Sequence, residues 1–200
     1  ERLGMPLDGD GVDFKQALSR ELSVDVSQIV LGTDFSEVFE ATVRAFLRTG
    51  ERAVLSQYSP ANYLRMVQQI GACAVEVPAR AFGHDLAAMA DAVCDDTHIV
   101  FLGNPNGLTG TFLPGHLLEA FLERLPTSVV AVLDEAYGNY LPRELRYQST
   151  AWPGRFPILV VLRSSCFSGH RIGYCVSSPD LVGMVMRQQD ALRADGEGIA

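Results

Sequence analysis

The sequence predicts an α/β protein with a mostly parallel, doubly wound sheet of about seven strands and helices on both faces. Three observations predict it. Short apolar runs alternate along the chain with amphipathic segments of helical length. The run 129–133 is unbroken and rich in β-branched residues, which is typical of a strand buried on both faces. Polar or glycine-rich segments follow several of the runs, as they do where ligands bind at strand ends.

The amphipathic segments predict helices whose ends carry capping residues. Asp10 and Asp85 stand where N-caps are expected, and Pro114 suits a first turn, because proline needs no amide partner there. Gly50 and Gly71 stand where helices end. The predicted helices span residues 12–22, 36–47, 61–70, 86–93, 114–125 and 181–192.

The apolar runs predict the strands, and the remaining segments read as loops. Segment 171–176 follows its predecessor without a crossover helix, so we expect it to run against the other strands. Residues 1–11 and 138–157 are rich in glycine, proline and mixed polar residues, which predicts loops. The predicted strands span residues 28–32, 52–56, 73–77, 98–102, 129–133, 158–162 and 171–176.

Composition limits the classes of function. The chain has 200 residues, 48% of them hydrophobic and 20% charged, which is typical of one globular domain. A net charge of −8 without a basic cluster argues against nucleic acid as a partner. No apolar run approaches the ~20 residues that span a bilayer, and the sequence starts with neither a signal peptide nor methionine. The cysteines and histidines lack metal-ligand spacing, so we expect no metal and a cytoplasmic protein with reduced thiols.

The candidate site lies where the strands end. Asp134 directly follows the run 129–133, and a carboxylate at the mouth of a buried strand is costly unless a cation or a donor meets it. Taken alone, about half of such aspartates are helix caps or loop residues. However, 32–34, 104–106, Asp134 with Tyr137, and 164–165 all follow predicted strands. Because parallel strands share their carboxyl ends, we expect these segments to meet at one edge of the sheet.

Six motifs along the chain resemble a known family. In the family's own order they are 30–32 (VLG), 82–86 (FGHDL), 99–106 (IVFLGNPN), 109–112 (TGTF), 133–137 (LDEAY) and 171–174 (RIGY). As an ordered set they resemble the fold-type I, pyridoxal-phosphate-dependent aminotransferases, and within these the histidinol-phosphate aminotransferase family. The similarity covers nearly all of the chain.

The resemblance implies a fold, an activity and an assembly. Residues 12–189 would form the large cofactor-binding domain, 1–11 an N-terminal arm, and 190–200 a remnant or the start of a small C-terminal domain. The implied activity is amino transfer from glutamate to a phosphorylated keto substrate through pyridoxal 5'-phosphate, in a homodimer with small-molecule substrates and no membrane partner.

The resemblance also implies which residues bind the cofactor ring. Asp134 would pair with the pyridinium nitrogen, so that the ring can accept the electron pair of a carbanion. Tyr137 would donate a hydrogen bond to the phenolic oxygen of the ring. The asparagine that should share this oxygen falls at Gly107, so Asn106 is the candidate stand-in. The aromatic residue expected to stack on the ring falls at Pro60, although Tyr58 and Tyr63 are close by.

Four residues are implied for the cofactor phosphate. Arg171 would bind it with its planar fork of donors, assisted by the hydroxyl of Ser164. Gly32 and the following amides, including that of Thr33, would cradle the phosphate at the start of the second helix, where the dipole favours an anion. The phosphate loop is shorter here than in the family.

The Schiff-base lysine of the family is missing, so no catalytic residue is identifiable. It should fall between Ser165 and Cys166, and the only lysine in the sequence, Lys15, lies in the first predicted helix. Arginine cannot replace it, because a guanidinium stays protonated and is a poor nucleophile. Two explanations remain open. In one, the sequence is part of a longer enzyme with segments missing; in the other, which is compatible with the first, the protein is a degenerate, cofactor-free homologue that acts as a scaffold or partner subunit.

Overall fold

The computed structural model describes residues 12–167 and 170–197, and the side chains within 14–165 and 172–194. It confirms a single seven-stranded, mostly parallel sheet with helices on both faces. The strands are β1 (Ile29–Gly32), β2 (Arg52–Ser56), β3 (Cys73–Val77), β4 (Thr97–Gly103), β5 (Val130–Asp134), β6 (Leu159–Phe167) and β7 (His170–Val176).

The strand order is β1-β7-β6-β5-β4-β2-β3. Strand β7 pairs antiparallel with both β6 and β1, and the other neighbouring pairs are parallel. The expectation that segment 171–176 runs against the other strands is therefore confirmed. Strand β6 extends five residues beyond the predicted end at Leu162, because its polar second half pairs with β7 in a long ladder.

Most helix ends lie within two residues of their predicted positions, but the helix predicted at 114–125 ends at Leu122 and the one predicted at 181–192 runs to Glu197. Gly50 does not end the second helix, whose last residue is Phe46. Asp85 caps α4 by accepting the Ala88 amide at 3.1 Å, and Gly71 ends α3 with a left-handed φ of 77°. The proposed cap Asp10 and the N-terminal arm lie outside the described residues. The helices are α1 (Val12–Leu22), α2 (Phe35–Phe46), α3 (Ala61–Ile70), α4 (Leu86–Asp91), α5 (Gly115–Leu122) and α6 (Pro179–Glu197).

Two segments qualify the predicted organisation. The loop 138–157 contains short 3-10 helices at Gly138–Tyr140, Arg143–Leu145 and Ser149–Gly154. Helix α6 runs without interruption past residue 190, and the division into domains stays a prediction. Within the described part of the chain, no helix has the length and apolar character needed to cross a membrane.

The core has one layer on each face of the sheet. Val130 and Val132 of β5 pack with α2, α3 and α6, whereas Ala131 and Leu133 pack with α4 and α5. This alternation follows from the strand period of two. It continues beyond the last apolar residue, so Asp134 faces α3 while the next residue, Glu135, faces the opposite side.

Candidate functional site

The register of the sheet brings the predicted strand ends together at one edge. Asp134 lies opposite Gly103 of β4 on one side and Leu162 of β6 on the other. Gly32 and Ser164 both pair with Gly173 of β7. A Cβ at Gly173 would collide with the backbone of the loop after β1, so glycine is required for this close approach. The site is thus framed by five adjacent strands, β1, β7, β6, β5 and β4.

Asp134 is the last residue of β5 and is only 7% exposed. Its Oδ2 accepts a hydrogen bond from the Tyr63 hydroxyl at 2.6 Å, and its Oδ1 accepts the Ala136 amide at 2.8 Å. Burial raises the pKa of Asp134, the two hydrogen bonds oppose that rise, and the neighbouring charge of Glu135 adds to it. A carboxylate offers about four acceptor positions, so Asp134 can still accept from a ligand.

Tyr63 is the partner of Asp134 that the sequence reasoning missed. It is fully buried, and its ring packs against those of Phe39 and Phe101, at centroid distances of 5.4 and 4.9 Å. Burial, and then the charge of Asp134, raise the pKa of Tyr63 well above its usual value, so its hydroxyl stays protonated and donates. The available signal was the spacing of Tyr63 and Val67, which places both on the buried face of α3.

Tyr137 occupies the space beside Gly107. Its ring packs so closely there that a Cβ at residue 107 would collide with it, with Cδ2 at 2.9 Å and another ring carbon nearer. The side chain is 48% exposed, and its ring lies 6.2 Å from that of Tyr140. The asparagine that the family places at position 107 is therefore incompatible with this position of Tyr137.

The side chain of Asn106 is hydrogen-bonded within its own loop and to the loop after β2. Its Nδ2 donates to the Tyr58 carbonyl at 3.0 Å, and its Oδ1 accepts the amides of Leu108 and Thr109 at 2.9 and 3.3 Å. The side chain is almost fully buried. Tyr58, one of the two aromatic residues near the expected stacking position, packs against Phe82 at 5.6 Å. The role of Asn106 as a stand-in at the ring stays a prediction.

At the loop after β1, where the cofactor phosphate was predicted to bind, the carboxylate of Glu37 accepts the hydrogen bonds that Thr33 can donate. The amide and hydroxyl of Thr33 donate to Glu37 Oε2 at 2.6 and 2.8 Å. Gln189 Nε2 and Arg193 Nε of α6 donate to the other oxygen, both at 2.8 Å. Burial alone would raise the pKa of Glu37, but the bonds from Thr33, Gln189 and Arg193 outweigh it and lower the pKa. In this structure Thr33 is thus not open to an anion.

The other predicted phosphate residues are described in part. Ser164 is 9% exposed and lies in β6 beside the loop after β5, with its Oγ 3.4 Å from the Ala136 carbonyl. Arg171 lies in β7 opposite Cys166, and its side chain is outside the described residues. Gly32 leaves no room for a side chain, because a Cβ there would collide with Val38.

Glu135 belongs to a buried polar network on the opposite face of the sheet. Its Oε2 accepts Arg163 Nε at 2.6 Å and the Ser149 hydroxyl at 2.7 Å. Nearby, Asn104 Nδ2 donates to the Tyr147 hydroxyl at 2.6 Å. Burial would lower the pKa of Arg163, but Glu135 and Tyr174 together outweigh it and raise that pKa. The sequence reasoning did not single out this network, although strand alternation places Glu135 opposite Asp134.

The strand pair β6–β7 passes through the position of the missing lysine. Ser165 pairs with Ile172, and Cys166 pairs with Arg171, in an uninterrupted antiparallel register. Lys15 is partly buried on α1, where its charge lies near Cys175. Burial raises the pKa of the Cys175 thiol to about 12, which leaves it protonated and unreactive.

Fold and site together define the class of protein. The family model "Aminotransferase class I and II" matches residues 8–193. The chain belongs to this aminotransferase family.

Curated relatives with high sequence identity carry the name histidinol-phosphate aminotransferase. The chain is 43% identical to histidinol-phosphate aminotransferase 1 of Cupriavidus pinatubonensis over 189 residues, which is 92% of this chain and 50% of that protein. It is 41% identical to histidinol-phosphate aminotransferase 2 of Nitrosospira multiformis, over 96% of this chain and 50% of that protein. Thus the chain spans about half the length of the curated relatives it matches.

A solved structure agrees with both comparisons. Histidinol-phosphate aminotransferase from Sinorhizobium meliloti, in complex with pyridoxal-5'-phosphate, superposes with a TM-score of 0.81 at 26% identity. The alignment covers 95% of this chain and 56% of that chain.

Proposed function

We propose that this chain forms the large domain of an aminotransferase of the histidinol-phosphate type. Such an enzyme moves an amino group between glutamate and a phosphorylated keto substrate by means of pyridoxal phosphate. Family membership supports the proposal, as does the identity of about two residues in five to relatives with that name. The observation that carries it is Asp134, a buried carboxylate with spare acceptor positions at the end of a central strand.

The residues at the ring end fit the cofactor without a covalent bond. Asp134 would accept a hydrogen bond from the protonated ring nitrogen and hold that proton in place. Tyr137, half exposed at the same edge, would donate to the phenolic oxygen. When bound, pyridoxal phosphate supplies a protonated conjugated ring that accepts an electron pair from the substrate.

The residues at the phosphate end fit with one rearrangement. Ser164 and Arg171 would supply a hydroxyl and a guanidinium. Thr33 would contribute its amide and hydroxyl only after Glu37 has released them. The sequence holds no lysine for covalent attachment except Lys15 on α1. The proposal for this chain is therefore non-covalent binding.

We further propose a cytoplasmic homodimer. Exposed apolar side chains support an assembly, because they lie in loops at the same edge as the site: Phe82, Leu108, Tyr137 and Tyr140. The cysteines described as unpaired, Cys73, Cys94 and Cys175, support a reducing compartment.

A titration of the purified protein with pyridoxal phosphate tests the function. Charged hydrogen bonds from Asp134, Tyr137 and Arg171 contribute about 5–9 kcal/mol before the cost of association, so we expect a Kd that is micromolar at best. Asp134→Asn should weaken binding about ten-fold or more. Asp91→Asn is the matched control. Asp91 lies on α4 and forms an exposed ion pair with Arg124, so its substitution should leave binding unchanged.

Borohydride reduction followed by intact-mass measurement separates the modes of binding. We expect no cofactor mass on the protein, and cofactor attached to any of its side chains would contradict non-covalent binding.

A cofactor-free scaffold is the second candidate function. It is favoured by the ring of Tyr137, which fills the space of the family's asparagine. Absence of any spectral change at millimolar pyridoxal phosphate would support the scaffold against the enzyme.

A further inference from the structure

We propose that Tyr63 is a positioning residue that orients the Asp134 carboxylate and holds it in the ionised form for a protonated ring nitrogen. The part that concerns the ring nitrogen rests on the proposed function. The interaction between the two side chains does not. It joins α3 to β5, which lie 71 positions apart in the sequence at these two residues.

The geometry restricts Tyr63 to this one partner. Its hydroxyl is 2.6 Å from Asp134 Oδ2, and both side chains are buried. The ring packs in a three-ring cluster with Phe39 and Phe101, which also contact each other, so rotation away from Asp134 would disrupt this packing. Helix α3 begins directly after Pro60, which fixes the turn of helix that carries Tyr63.

The direction of the hydrogen bond follows from the surroundings. A tyrosinate here would be buried among apolar rings beside a second negative charge, so the proton stays on Tyr63. The hydroxyl therefore donates, and Asp134 accepts. A hydrogen bond to a charged acceptor is roughly twice as strong as one between neutral groups, so the contact favours the ionised carboxylate.

The other groups that act on Asp134 leave Tyr63 with a distinct role. The Ala136 amide also favours the charged form, but it is backbone and is fixed by the turn after β5. Glu135 acts against the charge from the opposite face, where Arg163 pairs with it. Among the described side chains, Tyr63 is thus the one that lowers the pKa of Asp134. Without it, burial would protonate the carboxyl at a higher pH.

A titration of the Asp134 carboxyl in the cofactor-free protein tests this inference. In Tyr63→Phe, the ¹³C NMR titration midpoint of Asp134 should rise by about one to two pH units, since a hydrogen bond to a charged group has that magnitude. Tyr140→Phe is the matched control, because Tyr140 is exposed and the midpoint should not move. An unchanged midpoint in a folded Tyr63→Phe variant overturns the inference.

A double-mutant cycle gives an independent reading. At about pH 8, Tyr63→Phe should raise the unfolding equilibrium constant about 10- to 150-fold in the native background. In Asp134→Asn it should raise it only about 2- to 12-fold, because a neutral amide accepts there and no carboxylate remains to be stabilised. Equal effects in both backgrounds would mean that Tyr63 only fills space, and would overturn the inference.

Pyridoxal phosphate then separates this inference from the proposed function. We expect Tyr63→Phe to weaken cofactor binding about ten-fold, with Tyr140→Phe again unchanged. If the native protein binds no cofactor while the midpoint still shifts, the proposed function fails and the orientation of Asp134 by Tyr63 stands. If the cofactor binds equally well to Tyr63→Phe, the role of Tyr63 toward the ring nitrogen is refuted.

Discussion

Glu37 offers the most direct test of how the loop after β1 is held. Its two oxygens accept four hydrogen bonds, two from Thr33 and one each from Gln189 and Arg193. The carboxylate thereby ties the loop to α6. Glu37→Gln keeps the shape of the side chain but removes the charge and places an NH₂ group where one oxygen accepts.

The expected loss in the free energy of unfolding is about 2 kcal/mol. Each hydrogen bond to a charged acceptor contributes about 1.5–3 kcal/mol, but the bonds share one group and are not additive. Arg193 is half exposed, so solvent weakens its contribution. Glu40→Gln is the matched control, because Glu40 lies on the same helix and pairs with the partly exposed Arg44. That change should cost less than about 0.5 kcal/mol.

The pH dependence of this stability loss shows whether it comes from the charge of Glu37. The pKa of Glu37 is lowered on folding, so its contribution is present above the unfolded pKa of about 4.3 and is lost as the pH falls through the folded value. Urea unfolding of both proteins, from about pH 7 to about pH 3, should show their difference shrinking in acid. A difference that is constant across this range would refute the assignment to the charge of Glu37.

Three substitutions test other contacts by the same denaturation assay or by binding. Gly107→Asn should displace the half-exposed ring of Tyr137 at a cost of about 1 kcal/mol; in a Tyr137→Ala background the cost should vanish, and if it persists the clash is not with this ring. Phe82→Gly should be more stable than Phe82→Ala by about 1 kcal/mol, because residue 82 has a left-handed φ of 63° and both variants lose the ring contact with Tyr58; equal stabilities would refute backbone strain. Cys175→Ser should cost about 1–3 kcal/mol, because it buries a hydroxyl in the core; a neutral result would contradict that burial.

The sheet could be predicted from the sequence because its signals are local. Strands alternated with helices, and β7 was expected to run antiparallel because no crossover helix precedes it. Asp134 was placed at a strand end by the apolar run before it. Each of these inferences uses residues within one element or at its border, where periodicity and capping act.

The partner of Asp134 could not be predicted in the same way. Tyr63 is distant in sequence, and its contact depends on how α3 packs across the sheet. The hydrogen bonds from Thr33 to Glu37 could have been predicted, because the two residues are only four positions apart. The pattern Asp34-x-x-Glu37 resembles a capping box, in which the glutamate bonds a backbone amide at the helix start. That pattern indicated that the amides were taken, and the sequence reasoning left them open to phosphate.

Asp134 and Glu135 are adjacent carboxylates, yet their side chains have different partners on opposite faces of the sheet. Glu135 pairs with Arg163 and Ser149, whereas Asp134 meets a phenol and an amide, and burial raises its pKa. Because the pKa of Asp134 is higher in the folded than in the unfolded state, the protein loses stability as the pH rises between these two values. The loss persists at any pH above the folded pKa.

Different changes in stability are expected when each charge is removed at about pH 8. Asp134→Asn should leave stability unchanged or raise it by about 1 kcal/mol, because the amide oxygen can still accept from Tyr63. Glu135→Gln should cost about 1–3 kcal/mol, since it leaves the guanidinium of Arg163 partly unpaired in a buried site. Losses of equal size in urea denaturation would show that Asp134 is as well satisfied as Glu135. The physical reason for regarding Asp134 as the carboxylate that awaits a ligand would then be gone.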